Sequence, residues 1–136
     1  MADGSYETSI EVRFRDLDSL GHVNNAVYAT YFEQARLRYL RDVHEVDLDE
    51  VNFVVARLEV DYRAPIEAVE PVTVGVGVDS VGETSFTLGY ALENAAGVKA
   101  TGRTVQVVLD ADGTPAPMDD DWRARLEAEE RPADDD

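Results

Sequence analysis

From Tyr6 to Phe14 the chain alternates: Tyr6, Thr8, Ile10, Val12 and Phe14 fall on one side, Glu7, Ser9, Glu11 and Arg13 on the other. A period of two with one wet side predicts a strand over 6–14. Over 16–24 the period is lost and polar residues gather, which predicts a loop. From Asn25 to about Arg41 the spacing turns helical, with Tyr28, Tyr31, Phe32, Ala35, Tyr39 and Leu40 on one broad apolar stripe. Asn24 or Asn25 is placed to cap that helix. Residues 42–52 form an acidic connector in which His44 is expected to be solvated.

Four more strands follow. Val54, Ala56, Leu58, Val60 and Tyr62 alternate with Val55, Arg57, Glu59, Asp61 and Arg63, and Pro65 ends the run. Val72, Val74, Val76 and Val78 alternate with Thr73, Gly75 and Gly77, and a turn is expected at Gly82. Phe86, Leu88, Tyr90 and Leu92 continue the pattern up to a hairpin turn at Asn94-Ala95-Ala96-Gly97. The last strand is predicted over 98–109, followed by a turn at Asp110–Gly113. Residues 119–130 read as a short acidic helix and 132–136 as a frayed tail. The expected organisation is one domain over 1–118 with an acidic helix and tail over 119–136.

Strands joined by tight turns pair antiparallel. One long helix apolar around more than half its girth, beside five such strands, is an α+β layer in which the sheet wraps around the helix. The open sheet edges invite pairing with a second copy of the chain.

Length and composition narrow the chemistry. The chain has 136 residues and 44% hydrophobic content, enough for one core. It has no Cys, so disulfides, thiolate catalysis and Cys-based metal sites are excluded, and two His are too few for a histidine-rich metal site. No metal or cofactor is expected. Neither an apolar run of membrane-crossing length nor a basic-then-apolar leader is read, so a cytoplasmic location is expected. Asp and Glu total 29 against 12 basic residues, a net charge of -17, and Lys99 is the only lysine. Nucleic acid and anionic membranes repel such a surface. Acid excess with scarce Lys points to a salty cytoplasm, because at about 1 M salt the screening length falls to roughly 3 Å.

The polar cluster before the long helix carries the candidate chemistry. It holds a carboxylate (Asp18), a flexible Gly21, an imidazole (His22) and the amides Asn24 and Asn25. The first turn of a helix leaves backbone N–H groups without partners, and the helix dipole adds about half a positive charge there. A carboxylate folded back over that end can activate water or attack a carbonyl whose oxygen the N–H groups hold. Taken alone, Asp18 is an ordinary turn-capping Asp; the Gly-His-Val-Asn-Asn context favours catalysis. Asp16 reads as a loop residue, His22 as either a carbonyl-orienting or a loop-holding group, and Glu33 as a surface Glu or one that reaches a partner's loop. Tyr28, Tyr31 and Phe32 read mainly as core. Arg57, Arg63 and Arg103 serve either ion pairs or phosphate contacts.

The pattern Asp18-x-x-Gly21-His22-Val23-Asn24-Asn25-x-x-Tyr28-x-x-Tyr31-x-x-x-Ala35-Arg36 resembles hotdog-fold acyl-CoA thioesterases of the 4-hydroxybenzoyl-CoA thioesterase type. Its His-Val-Asn-Asn core is also similar to that of long-chain acyl-CoA thioesterases and plant acyl-carrier-protein thioesterases. The resemblance covers roughly residues 6–110, including Tyr62-Arg63-Ala64-Pro65. It implies a five-stranded antiparallel sheet wrapped around one central helix, Asp18 as base or nucleophile, and the Asn25 backbone N–H as the donor to the thioester oxygen. Gly21 and His22 would shape the site, and Val23, Asn24, Tyr28 and Arg63 would line the substrate. It further implies an acyl-CoA substrate and a homodimer, or a homotetramer, with pantetheine along the subunit interface. Plant enzymes carry Asn where this chain has Leu20, and no basic run stands at Val81-Gly82-Glu83 to meet CoA phosphates. Two rival readings are a hotdog-type acyl-thioester hydratase or dehydratase, and a non-catalytic acyl-CoA-binding module.

Overall fold

A computed structural model describes residues 6–47, 49 and 52–130. The chain runs β1 (Tyr6–Glu11), α1 (Val27–Asp42), β2 (Phe53–Tyr62), β3 (Pro71–Val81), β4 (Ser85–Asn94), β5 (Gly97–Val108) and α2 (Asp120–Ala128). The strands form one antiparallel sheet in the order β1-β3-β4-β5-β2, so β1 and β2 are its edges. This is the expected five-stranded sheet around a long helix.

The alternating strand residues explain the packing. Val72, Val74, Val76 and Val78 of β3, with Phe86, Leu88, Tyr90 and Leu92 of β4, are buried on the side that faces α1. They meet the helical stripe of Tyr28, Tyr31, Phe32, Ala35, Tyr39 and Leu40, all buried. Each large apolar side chain removed from water contributes roughly 1.5–3 kcal/mol, so this layer dominates stability. Close approach of helix to sheet depends on Gly102 in β5. A Cβ there would collide with the Phe32 ring and come within 2.9 Å of the Glu59 carbonyl oxygen. The Phe32 ring lies flat over that gap and stacks on Tyr90, with centroids 4.6 Å apart.

Four expectations are corrected by the tertiary structure. The first strand stops at Glu11, and Phe14 sits on a single 3-10 turn at Phe14–Asp16, 81% exposed, because the chain leaves the sheet edge there. The helix begins at Val27 with Ala26 in the capping position, because Asn24 is used earlier, in the turn before the helix. A register shift between Val55 and Arg57 breaks the simple alternation in β2. Val55, Leu58, Val60 and Tyr62 consequently share the side of Gln106, Thr104, Gly102 and Ala100, their partners on β5. Finally, His44 is buried, not solvated.

His44 belongs to a knot at the far end of α1. Its Nε2 lies 2.9 Å from the Tyr39 hydroxyl, which donates to the Glu129 carboxylate just beyond α2. Burial holds the His44 pKa below its ordinary value, opposed by the nearby Glu129 charge. Burial and the Glu129 contact push the Tyr39 hydroxyl up. Asp119 caps α2 by accepting the Asp121 and Trp122 N–H groups at 3.1 and 3.2 Å. Trp122 and Leu126 of α2 are buried in the same core. Among the described residues no helix is long and apolar enough to cross a membrane.

The Gly102 contact is testable. Gly102→Ala is expected to lower stability by about 1–3 kcal/mol, the usual cost of overpacking a tight core. Adding Phe32→Leu should recover much of that loss in urea unfolding.

Candidate functional site

The loop between β1 and α1 is folded by its own backbone. Leu17 and Val23 form an isolated antiparallel bridge, and the Asp18 N–H donates to the His22 carbonyl at 2.7 Å. Gly21 closes the turn, its N–H donating to the Asp18 carbonyl at 3.0 Å. Its φ of +79° is left-handed, a conformation that glycine adopts without a Cβ clash. The Val23 N–H donates to the Ile66 carbonyl and the Asn24 N–H to the Asp16 carbonyl, both at 2.9 Å, which fastens the loop to its surroundings.

Within that loop Asp18 is half-buried. Its Oδ1 accepts the Leu20 N–H at 2.9 Å and the His22 N–H at 3.4 Å. Among the described residues Oδ2 has no partner. Asp16 plays a different part: its Oδ2 takes the Arg13 N–H at 2.9 Å and the Tyr31 hydroxyl at 2.6 Å. Burial and that contact push the Tyr31 hydroxyl pKa up. Asp16 is thus a turn brace, and the two carboxylates are held by separate groups.

The turn into α1 leaves the Asn25 backbone donor open. Asn24 Oδ1 accepts the Ala26 N–H at 2.9 Å, and the Asn24 carbonyl accepts the Val27 N–H at 2.9 Å. The Asn25 carbonyl accepts the Tyr62 hydroxyl at 2.6 Å. Among the described residues nothing accepts the Asn25 N–H. It stands just ahead of the positive end of α1, a position suited to developing negative charge.

Asp18, Leu20, His22, Val23, Asn25, Tyr28, Tyr62, Arg63, Ala64 and Pro65 line one depression of about 430 Å³. Six of the eight residues singled out from the sequence therefore meet here. Gly21 and Asn24 do not line it; they shape the turns on which it rests. Tyr28 is buried, with its ring edge-on to Tyr62 at 5.0 Å, and burial raises its hydroxyl pKa. His22 Nε2 faces Glu67 Oε2 at 3.3 Å, with both side chains partly exposed. Arg57 and Arg103 are held in ion pairs, to Glu59 at 2.8 Å and Asp79 at 3.1 Å. Arg63, on the depression's wall, has no ion pair among the described residues. No group of three or more His, Cys, Asp or Glu that could hold a metal ion occurs among the described residues.

Sequence reasoning did not single out Tyr62, Leu20 or Glu67 as site residues. Tyr62 carried a strand signal and a place in the Tyr62-Arg63-Ala64-Pro65 segment but no site role, since its contact with Asn25 spans 37 residues. Glu67 lies in the connection after β2, where no period operates.

Comparison with known proteins agrees with this fold. A family model described as the thioesterase-like superfamily matches residues 12–126. The uncharacterized protein YsmA of Bacillus subtilis is 32% identical over 105 residues, 76% of this chain and 71% of that protein. The acyl-CoA thioester hydrolase YbgC of Escherichia coli is 29% identical over 90 residues, 63% of this chain and 67% of that protein. Among solved structures, a Thermus thermophilus thioesterase complexed with coenzyme A and zinc superposes with a TM-score of 0.82 at 43% identity, over 93% of this chain and 95% of that one.

Proposed function

As a member of the thioesterase-like superfamily this chain is a thioester hydrolase, and we propose that its substrate is an acyl-CoA, cleaved to a carboxylic acid and free CoA. The observation that carries the proposal is that Asp18 and Asn25 line one depression at the entry of α1. The Escherichia coli relative named as an acyl-CoA thioester hydrolase and the Thermus structure with coenzyme A support the choice of thiol.

In this reading the thioester oxygen sits on the Asn25 N–H. A backbone donor aimed at a developing oxyanion lowers the barrier by roughly 3–4 kcal/mol. Asp18 Oδ1 is held by two loop N–H groups, which leaves Oδ2 to act. As a base, Oδ2 takes a proton from water while the water oxygen bonds to the acyl carbon. The oxyanion then collapses, the C–S bond breaks, and the departing thiolate receives the proton. As a nucleophile, Oδ2 bonds to the acyl carbon itself, CoA leaves, and water hydrolyses the resulting anhydride. Either route uses the same oxygen against the same donor. Tyr62 acts through Asn25, since its hydroxyl fixes the peptide next to the oxyanion donor. His22, kept in place by Glu67, borders the carbonyl, and Arg63 offers the free cation on the wall for CoA phosphate.

The smallest competent unit in this proposal is a homodimer, with the tetramer as a further association. Strand β2 is an unpaired edge whose Val54, Val55, Leu58 and Tyr62 are all more than two-fifths exposed. Such an edge is stabilised by pairing with its own copy. Tyr62 ends that strand and walls the depression, so pantetheine would run along the seam. The acid surface suits a salt-rich cytoplasm.

Three outcomes test this reading. Asp18→Asn should lower free-thiol release from a panel of acyl-CoAs by 100-fold or more in kcat (about 3 kcal/mol). An active wild type matched by the variant, or hydration of an enoyl-CoA with no thiol released, overturns the assignment. Tyr62→Phe should lower kcat about tenfold with KM nearly unchanged, because it loosens the donor without touching ligand charge. Raising KCl from about 0.1 to about 2 M should raise the melting temperature, as screening relieves self-repulsion; a flat or falling curve removes the salt adaptation.

A further inference from the structure

Arg36 is the anomaly of the core. It is 6% exposed, and its Nη1 donates to the Tyr90 hydroxyl at 3.3 Å. Its Nε is buried without a partner, and among the described residues no carboxylate lies within ion-pair distance. Guanidinium keeps its charge at any ordinary pH, so it cannot escape by losing a proton. An uncompensated buried charge is strongly unfavourable, and a buried cation with no acid partner among the described residues calls for one from elsewhere.

The position of Arg36 says from which side that component comes. Arg38 donates to Thr8 and to the Ser9 carbonyl, which marks the flank of α1 that faces β1. At about 100° per residue, Ala29, Glu33 and Arg36 lie on the opposite flank, toward β2. There the sheet runs out beyond the helix. Val55, Leu58 and Tyr62 point to the helix side of β2 yet are 41%, 46% and 48% exposed. The trough between α1 and β2 is thus open, with apolar walls and a cation beside its floor. Glu33 borders the same trough, exposed and in no ion pair among the described residues.

We propose that Arg36 is half of an ion pair completed by Glu33 of the partner subunit in a two-fold dimer. The proposal deepens the homodimer argued above and rests on it. Antiparallel pairing of two β2 edges sets the two α1 helices side by side and antiparallel. In a two-fold interface, contact of residue i with j carries contact of j with i. Glu33 and Arg36 are one helical turn apart, so a two-fold axis passing between them brings each Glu33 to the opposite Arg36. The unpaired charge of each subunit is then the feature that the second copy satisfies, and the small Ala29 lets the helices approach. A free anion or an unrelated protein fits less well, because neither explains why an unpaired acid and an unpaired base share one flank.

The test is a double-mutant cycle on the dimer, read by sedimentation equilibrium at a fixed KCl concentration of about 2 M. Glu33→Gln should raise the dimer Kd by roughly 100-fold, because it strands a buried cation. Arg36→Met should be milder, and the double variant should return to within about tenfold of wild type, since both charges are then gone. Should Arg36→Met not fold, Glu33→Asp keeps the charge and must dimerise within about tenfold of wild type while Glu33→Gln does not. A chain that stays monomeric, a Kd indifferent to Glu33→Gln, or effects that simply multiply in the double variant would each overturn the proposal. Asp18→Asn separates this from the catalytic reading: it should lose thiol release and dimerise normally.

Discussion

Seating α1 in the hollow of the sheet is the constraint on which the remaining structure depends. The contact of Phe32 with Gly102 and Tyr90 sets how deep the helix sinks. A helix held at that depth presents its N-terminal turn at the rim of the sheet, where the loop from β1 and the end of β2 can both reach it. The depression is thus a consequence of packing, since its walls are the three segments that converge at one end of a buried helix. Rigid packing of that kind transmits small displacements, so the geometry of the Asn25 peptide is tied to contacts in the core.

The two ends of α1 solve opposite problems. At its C-terminal end Tyr39 bonds to both His44 Nε2 and Glu129, which ties α2 onto the core, while the buried His44 Nδ1 has no partner among the described residues. At its N-terminal end the Asn24 side chain, the Asn24 carbonyl and the Tyr62 hydroxyl occupy their neighbours, and the Asn25 N–H stays open. An open backbone donor and a half-buried carboxylate lining one depression are the features on which the proposed site rests. The middle of the helix carries a third situation. Arg36 is buried without an acid partner among the described residues, on the flank where the sheet edge is also unfinished. The two deficits coincide in space, which is why one partner can meet both.

The acidic surface is compatible with this interior because the two are separated by the sheet and helix themselves. Several cations are engaged locally: Arg57 with Glu59, Arg103 with Asp79, and Arg123 on the Gly82 and Glu83 carbonyls. Arg63 instead lines the depression, the cation that the proposed anionic ligand would meet on an otherwise acidic surface.

By itself the chain order of apolar residues determined a five-stranded antiparallel sheet, a long helix after the first strand, and a polar loop between them. Those are local properties, since period two and period 3.6 are written in neighbouring residues. The cluster Asp18 to Asn25 was legible for the same reason, being contiguous. Tertiary structure alone decided what happens between distant segments. Phe14 continued the strand pattern yet lies in water, because the edge pairing with β3 ends at Glu11. His44 sat among acids yet is buried, because α2 folds back over it. The register shift after Val55 put Val55, in place of Val54, on the side of Leu58, Val60 and Tyr62, and no local period records a bulge. Tyr62 reached Asn25, and Arg36 lost its solvent without gaining an acid among the described residues, only once helix and sheet had packed. Periodicity specifies faces; which faces meet, and which charges are left over, depends on three-dimensional distance that sequence separation does not encode.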